Sequence, residues 1–140
     1  MFDQAISHLK NIDMIGNDDI VIACMDNVTK ATILGGAIGA AIASSRAGRY
    51  ILAANKEYLS IFDVDKKTGE FLGTCTKIGS NEIKGAKVKG GLGSFSVKLR
   101  TDSWKGTYAT SNKFQGRHQK DDIAKLKELF ESDFTDEENE

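Results

Sequence analysis

The stretch Arg49-Tyr50-Ile51-Leu52-Ala53-Ala54-Asn55-Lys56-Glu57-Tyr58-Leu59-Ser60-Ile61-Phe62-Asp63-Val64 decides how the rest of this chain is read. Two runs rich in apolar and aromatic residues flank a polar tripeptide, the pattern of two strands joined by a hairpin. Downstream, Asp65-Lys66-Lys67-Thr68-Gly69 reads as a second turn, after which Phe71 to Ile78 continues the sheet. Ile83 to Lys89 reads as another short strand and Gly90-Gly91-Leu92-Gly93 as a flexible turn. Phe95-Ser96-Val97-Lys98-Leu99-Arg100 alternates cleanly, so Phe95, Val97 and Leu99 face inward and Ser96, Lys98 and Arg100 outward. Trp104 to Thr110 is the last expected strand.

Both flanks extend the pattern. Ile20 to Met25 is a compact apolar run, best read as a buried strand. Before it, Phe2, Ala5, Ile6, Leu9 and Ile12 recur at helical spacing, which predicts an amphipathic helix over 3–12, broken by Gly16-Asn17-Asp18-Asp19. At the other end, Asp121 or Asp122 suits a helix N-cap. Ile123, Leu126, Phe130 and Phe134 then share one face that should dock on the sheet. The expected class is mainly β (α+β): a six- or seven-stranded antiparallel sandwich or barrel, capped by a C-terminal helix, with a short N-terminal helix. At 140 residues this is one domain with extensions. The expected organisation is a helical extension over 1–16, the β domain over 17–134 with an Ala/Gly-rich insert at 27–48, and an acidic tail over 135–140.

The order of these elements resembles the pleckstrin-homology-like domains of bacteria. Ile51 to Phe62 is similar to that family's second and third strands, with Ile78 to Val88, Ser94 to Arg100 and Trp104 to Thr110 as later strands. Asp122 to Phe134 would be its capping helix. The resemblance implies a non-enzymatic interaction module, sometimes oligomeric. The closely spaced bases of lipid-binding eukaryotic relatives are not matched by the scattered Lys30, Arg46 and Arg49, so phosphoinositide binding is not carried over.

Charge is unevenly distributed. Residues 77–120 hold ten Lys/Arg against two acids, whereas 121–140 hold two lysines against nine acids. The ordinary meaning of such runs is solvated strand faces and a solubilising tail. The functional alternative is a basic face built from Lys84, Lys87, Lys89, Lys98 and Arg100, suited to anionic lipid or nucleic-acid phosphates. Few aromatics interleave with these bases, which weakens the nucleic-acid reading.

The segment from Ala31 to Ser45 carries small residues at four-residue spacing. Leu34, Gly35, Ile38, Gly39, Ile42 and Ala43 are therefore candidate packing or interface positions. The apolar run from Ala31 to Ala43 is shorter than the roughly 20 residues needed to span a bilayer. Cys24 and Cys75 show no metal-ligand spacing and read as buried free thiols in a reducing cytoplasm. Asp63, Asp65 and Gly69 do not meet the rules for a calcium loop. The Gly90–Ser94 run lacks the ending of a phosphate loop. His8 and His118 have no motif-spaced partner, and no cofactor, metal or catalytic set is expected. The expectation is a cytoplasmic binding or scaffolding module acting by protein contact, including self-association as a homo-oligomer. Its alternative is peripheral attachment to an anionic membrane surface through the basic strands.

Overall fold

A computed structural model describes residues 2–27 and 48–134. The candidate packing positions Leu34, Gly35, Ile38, Gly39, Ile42 and Ala43, and the acidic tail over 135–140, lie outside the described residues. Helix α1 (Asp3–Asn11) is followed by β1 (Ile20–Asp26), β2 (Arg49–Ala54), β3 (Tyr58–Val64) and β4 (Phe71–Gly79). A short 3-10 turn (Ser80–Glu82) leads to β5 (Gly85–Gly91), β6 (Ser94–Arg100) and β7 (Lys105–Ser111). The hairpin β8 (Lys113–Phe114) and β9 (Arg117–His118) precedes helix α2 (Lys120–Asp133).

The seven long strands form one antiparallel sheet in the order β4-β3-β2-β1-β7-β6-β5. The mainly β fold with two flanking helices is therefore present. Asn55 makes the first hairpin: its side-chain oxygen accepts from the N–H groups of Glu57 (2.8 Å) and Tyr58 (3.1 Å). Asp65 shapes the next turn in the same way, accepting from Lys67 and Thr68. These backbone donors hold its carboxyl below the usual carboxylate range.

The sheet carries two apolar clusters. One is interior, where Ile22, Leu52, Ile61, Ile78, Val88 and Val97 meet Ile123, Leu126 and Phe130 of α2. All seven strands contribute to it, so the sheet curls around a single core. The other lies on the opposite face of β1–β3, where Val21, Ala23, Ile51, Ala53 and Phe62 meet Phe2, Ile6 and Leu9 of the N-terminal segment. Burial on both faces explains why β1 to β3 read as nearly continuous apolar runs rather than alternating ones. Helix α1 thus covers half of the sheet's outer surface. Among the described residues no such cover lies over β5–β7, where Lys89, Lys98, Lys105 and Thr107 are exposed.

Three local differences from the sequence reading have physical causes. The strand expected over Ile83 to Lys89 begins at Gly85 because the 3-10 turn occupies Ser80–Glu82. The polar loop expected around His118 is instead the β8–β9 hairpin, with Gln115 (φ 46°) and Gly116 (φ 88°) both left-handed, as a two-residue hairpin turn requires. Helix α2 is capped at Gln119, two or three residues before the expected Asp121 or Asp122.

Candidate functional site

Two surfaces carry chemistry. The first is the outer face of β5–β7. Strand alternation puts Lys87 and Lys89 on the same side of β5, while Ala86 and Val88 are buried on the other. Lys98 and Arg100 occupy the outer side of β6, and Lys105 joins them from β7. These three strands contain five bases and no acid. Register makes the arrangement sharper: Lys87 lies directly opposite Lys98, and Arg100 directly opposite Lys105. Like charges facing each other across a sheet are destabilising. No ion pair to Lys87, Lys89 or Lys98 forms among the described residues. A depression of about 240 Å³ lies among Lys98, Arg100, Lys105 and Thr107.

Sequence reasoning grouped Lys84 with this face, and the fold separates it. Its N–H donates to the Arg100 carbonyl at 2.7 Å, and its carbonyl accepts from the Arg100 guanidinium at 3.0 Å. Lys84 precedes β5 and lines the cleft described below. Lys105, which the sequence reading did not single out, stands in its place because β7 pairs with β6 through Lys105 and Arg100.

At the tip of the β5–β6 hairpin, Leu92 and Gly93 form the two-residue turn with φ of 55° and 89°. Both left-handed positions favour Gly, Asn or Asp. Leu92 is nevertheless there, fully exposed at 109%. Gly90 (φ 135°) is required for a different reason, since a Cβ there would run into the Ser94 carbonyl oxygen.

The second surface is a cleft of about 730 Å³ at one mouth of the curled sheet. Its floor follows from register. Tyr50 sits between Cys24 of β1 and Asp63 of β3, and Asp26 of β1 lies opposite Tyr108 of β7. The Tyr50 and Tyr108 rings meet edge to face with centroids 5.2 Å apart. Asp26 accepts the Gly48 N–H at 2.9 Å and hydrogen-bonds the Tyr50 hydroxyl. Trp104, at 37% exposure, closes one side over Gly106.

Burial and Asp26 shift the groups on this floor. Tyr50 is pushed up to about 12 by burial and then by its bond to Asp26. Burial, then Asp26, raises the Asp63 carboxyl above its usual range. Tyr108 and Cys24 are both raised, chiefly by burial. A buried thiol held in its neutral form is a poor nucleophile. Cys75 is also raised, and His8 and His118 are exposed and do not line the cleft. Among the described residues no cluster of three His, Cys, Asp or Glu has metal-holding geometry, and no helix is long and apolar enough to cross a membrane.

No protein-family model matches this chain, and no curated protein matches it.

Proposed function

We propose that this chain is a non-enzymatic binding module that attaches reversibly to anionic lipid surfaces through the outer face of β5–β7. The supporting observation is the facing pair Lys87 and Lys98, on three strands without an acid. A sheet held together only for stability would place opposite charges at such positions. Self-repulsion of this kind is relieved by an anionic partner.

Leu92 favours lipid over nucleic acid as that partner. Its exposed side chain stands at the tip of the β5–β6 hairpin, in a backbone conformation that disfavours it. The face offers no aromatic platform for bases: Phe95 belongs to the inner side of β6 and Tyr108 to the core. Each lysine near an anionic surface contributes about 1 kcal/mol. Burying a leucine contributes about 1.5–3 kcal/mol. Lys87, Lys89, Lys98 and Leu92 together supply roughly 5 kcal/mol, a binding constant between about 0.1 and 1 mM. That is weak, salt-sensitive attachment, in keeping with a reversible module. The order of strands and the closing helix support membership of the bacterial pleckstrin-homology-like domains. Free cysteines fit a reducing cytoplasm.

Self-association through a sheet edge has less support. β4 carries a register irregularity opposite Asp63, and β5 carries Lys87 and Lys89. Both are devices that discourage edge pairing.

Co-sedimentation with phosphatidylglycerol vesicles and with phosphatidylcholine vesicles, at low and high salt, tests the reading. Binding is expected to the anionic vesicles alone, lost at high salt. The double variant Lys87→Gln, Lys98→Gln should weaken it about 30-fold, the equivalent of two lysine contributions. Absence of binding at low salt, or an unchanged double variant, rules the reading out. Tighter binding to single-stranded RNA than to vesicles would move the same face to nucleic acid.

A further inference from the structure

The cleft has a chemistry opposite to that of the basic face. Three aromatic rings border it: Tyr50, Tyr108 and Trp104. Their contiguity is direct, with Tyr50 against Tyr108 and the Trp104 indole and Tyr108 hydroxyl both closing on the space above Gly106. Asp63 lines the same cavity, directly across the strand pair from Tyr50. Asp26 stands behind the Tyr50 hydroxyl. The rim is mixed, with Lys84, Glu82 and Asp102 all lining it. Lys77 also lines the cleft, and its ammonium is engaged over the Tyr58 ring at 4.0 Å.

We infer that this cleft binds a small organic cation, an ammonium group bearing alkyl substituents, held against Tyr50, Tyr108 and Trp104 with Asp63 as counter-charge. Aromatic faces attract cations through the ring quadrupole, and they do so best for poorly hydrated alkylammonium ions. A metal ion would require more oxygen ligands than Asp63 and Asp26 supply. An anion would meet the Asp63 carboxylate among the rings, and the lining as a whole carries three acids (Asp63, Glu82, Asp102) against two lysines (Lys77, Lys84). A neutral apolar guest would leave Asp63 desolvated without compensation. The volume of about 730 Å³ lies within the range of small-molecule sites. The electrostatics of the cleft agree: burial and Asp26 push the Asp63 carboxyl upward, and a bound cation would reverse that shift. The inference stands on residues separate from the basic face and does not depend on it.

Trp104 is the sole tryptophan of the chain and reports on the cleft directly. The 140-residue chain is titrated with choline, tetramethylammonium and n-butylammonium while its fluorescence is followed. The uncharged isostere 3,3-dimethylbutan-1-ol serves as the control for shape. A saturable change with at least one cation, and at least tenfold weaker binding of the isostere, is expected. Asp63→Asn should weaken cation binding at least fivefold and leave the isostere unaffected. Should Asp63→Asn not fold, Trp104→Leu, at a partly exposed rim position, carries the same test by calorimetry and should also weaken binding. No saturable response to any of the three cations overturns the inference. So does equal binding of the isostere, or retained affinity in the folded variants.

Discussion

The side chain of Gln119 and the peptide of Ala23 hold each other as two strands would. The Ala23 N–H donates to Gln119 Oε1 at 2.9 Å, and Gln119 Nε2 donates to the Ala23 carbonyl at 2.9 Å. Nε2 also approaches Thr110 Oγ1 (2.6 Å) and the Ser111 carbonyl (3.1 Å). Backbone pairing between β1 and β7 covers only Met25 with Ala109 and Asp26 with Tyr108. Beyond that point the strands part, and a side-chain amide fills the seam that joins the two halves of the sheet. Arg117 reinforces it, reaching Asp3 of α1 at 2.7 Å and Asp122 of α2 at 3.5 Å.

Gln119→Ala should therefore cost about 2–4 kcal/mol, because it strands a buried N–H and leaves a cavity. Gln119→Glu should be worse at neutral pH, since a carboxylate would face the Ala23 and Ser111 carbonyls. Such a site favours the protonated acid, so the variant's stability should fall as pH rises through the carboxyl range. Urea denaturation at pH 4.5 and 7 checks both. An Ala variant as stable as the parent would show that the seam does not need the amide.

The seven-stranded framework was legible because hydrophobic alternation and turn chemistry act locally. Asn55 and Asp65 use their own side chains to shape the turns the sequence suggested. The seam was not legible. Gln119 lies 96 residues from Ala23, and a single glutamine in a polar stretch carries no periodic signal. The cleft was hidden for a related reason. Tyr50 and Tyr108 meet only because β1 sits between β2 and β7, a fact of topology. Lys84 was misgrouped because counting bases ignores the pleat, whereas Lys87 and Lys98 fell together because both lie on regular strands.

Lys87→Glu separates binding from stability. Opposite Lys98 it turns a repulsive cross-strand pair into an attractive one, which should raise stability by about 0.5–1 kcal/mol. Attachment to phosphatidylglycerol vesicles should fall by more than tenfold. A variant that is both less stable and unchanged in binding would show that Lys87 has no electrostatic role on that face.

Leu92→Asn tests the hairpin tip. Asparagine suits the left-handed position better, so the variant should gain up to about 1 kcal/mol. Vesicle binding should weaken by roughly tenfold or more as the apolar contact is lost. Thermal melts and co-sedimentation read the two effects independently. Unchanged binding would mean that the tip stays in water.

Gly106→Ala acts on the cleft wall. A Cβ at this position would lie 2.5 Å from Trp104 Cζ2 and 2.6 Å from Cη2. The partly exposed indole can swing outward, so the stability cost should stay within about 1 kcal/mol. Tryptophan emission should shift to longer wavelength as the ring enters water. An unchanged spectrum would show that Trp104 is not packed over the glycine.

Tyr50 gives an alkaline signature. Burial and the bond to Asp26 raise its phenol from an ordinary value near 10 to about 12. Between those values the folded state keeps a proton that the unfolded state has released, so stability should fall as pH rises across that window. The full two-unit shift would correspond to about 2.7 kcal/mol, and partial solvent exposure should bring the effect below about 2 kcal/mol. Tyr50→Phe removes this dependence while losing the bond to Asp26, at a cost of about 1 kcal/mol near neutral pH. The phenolate absorbance of the parent minus that of Tyr50→Phe isolates the single titration. Its midpoint should lie near 12, and a midpoint near 10 would place the hydroxyl in water, away from the carboxylate that the cleft floor requires.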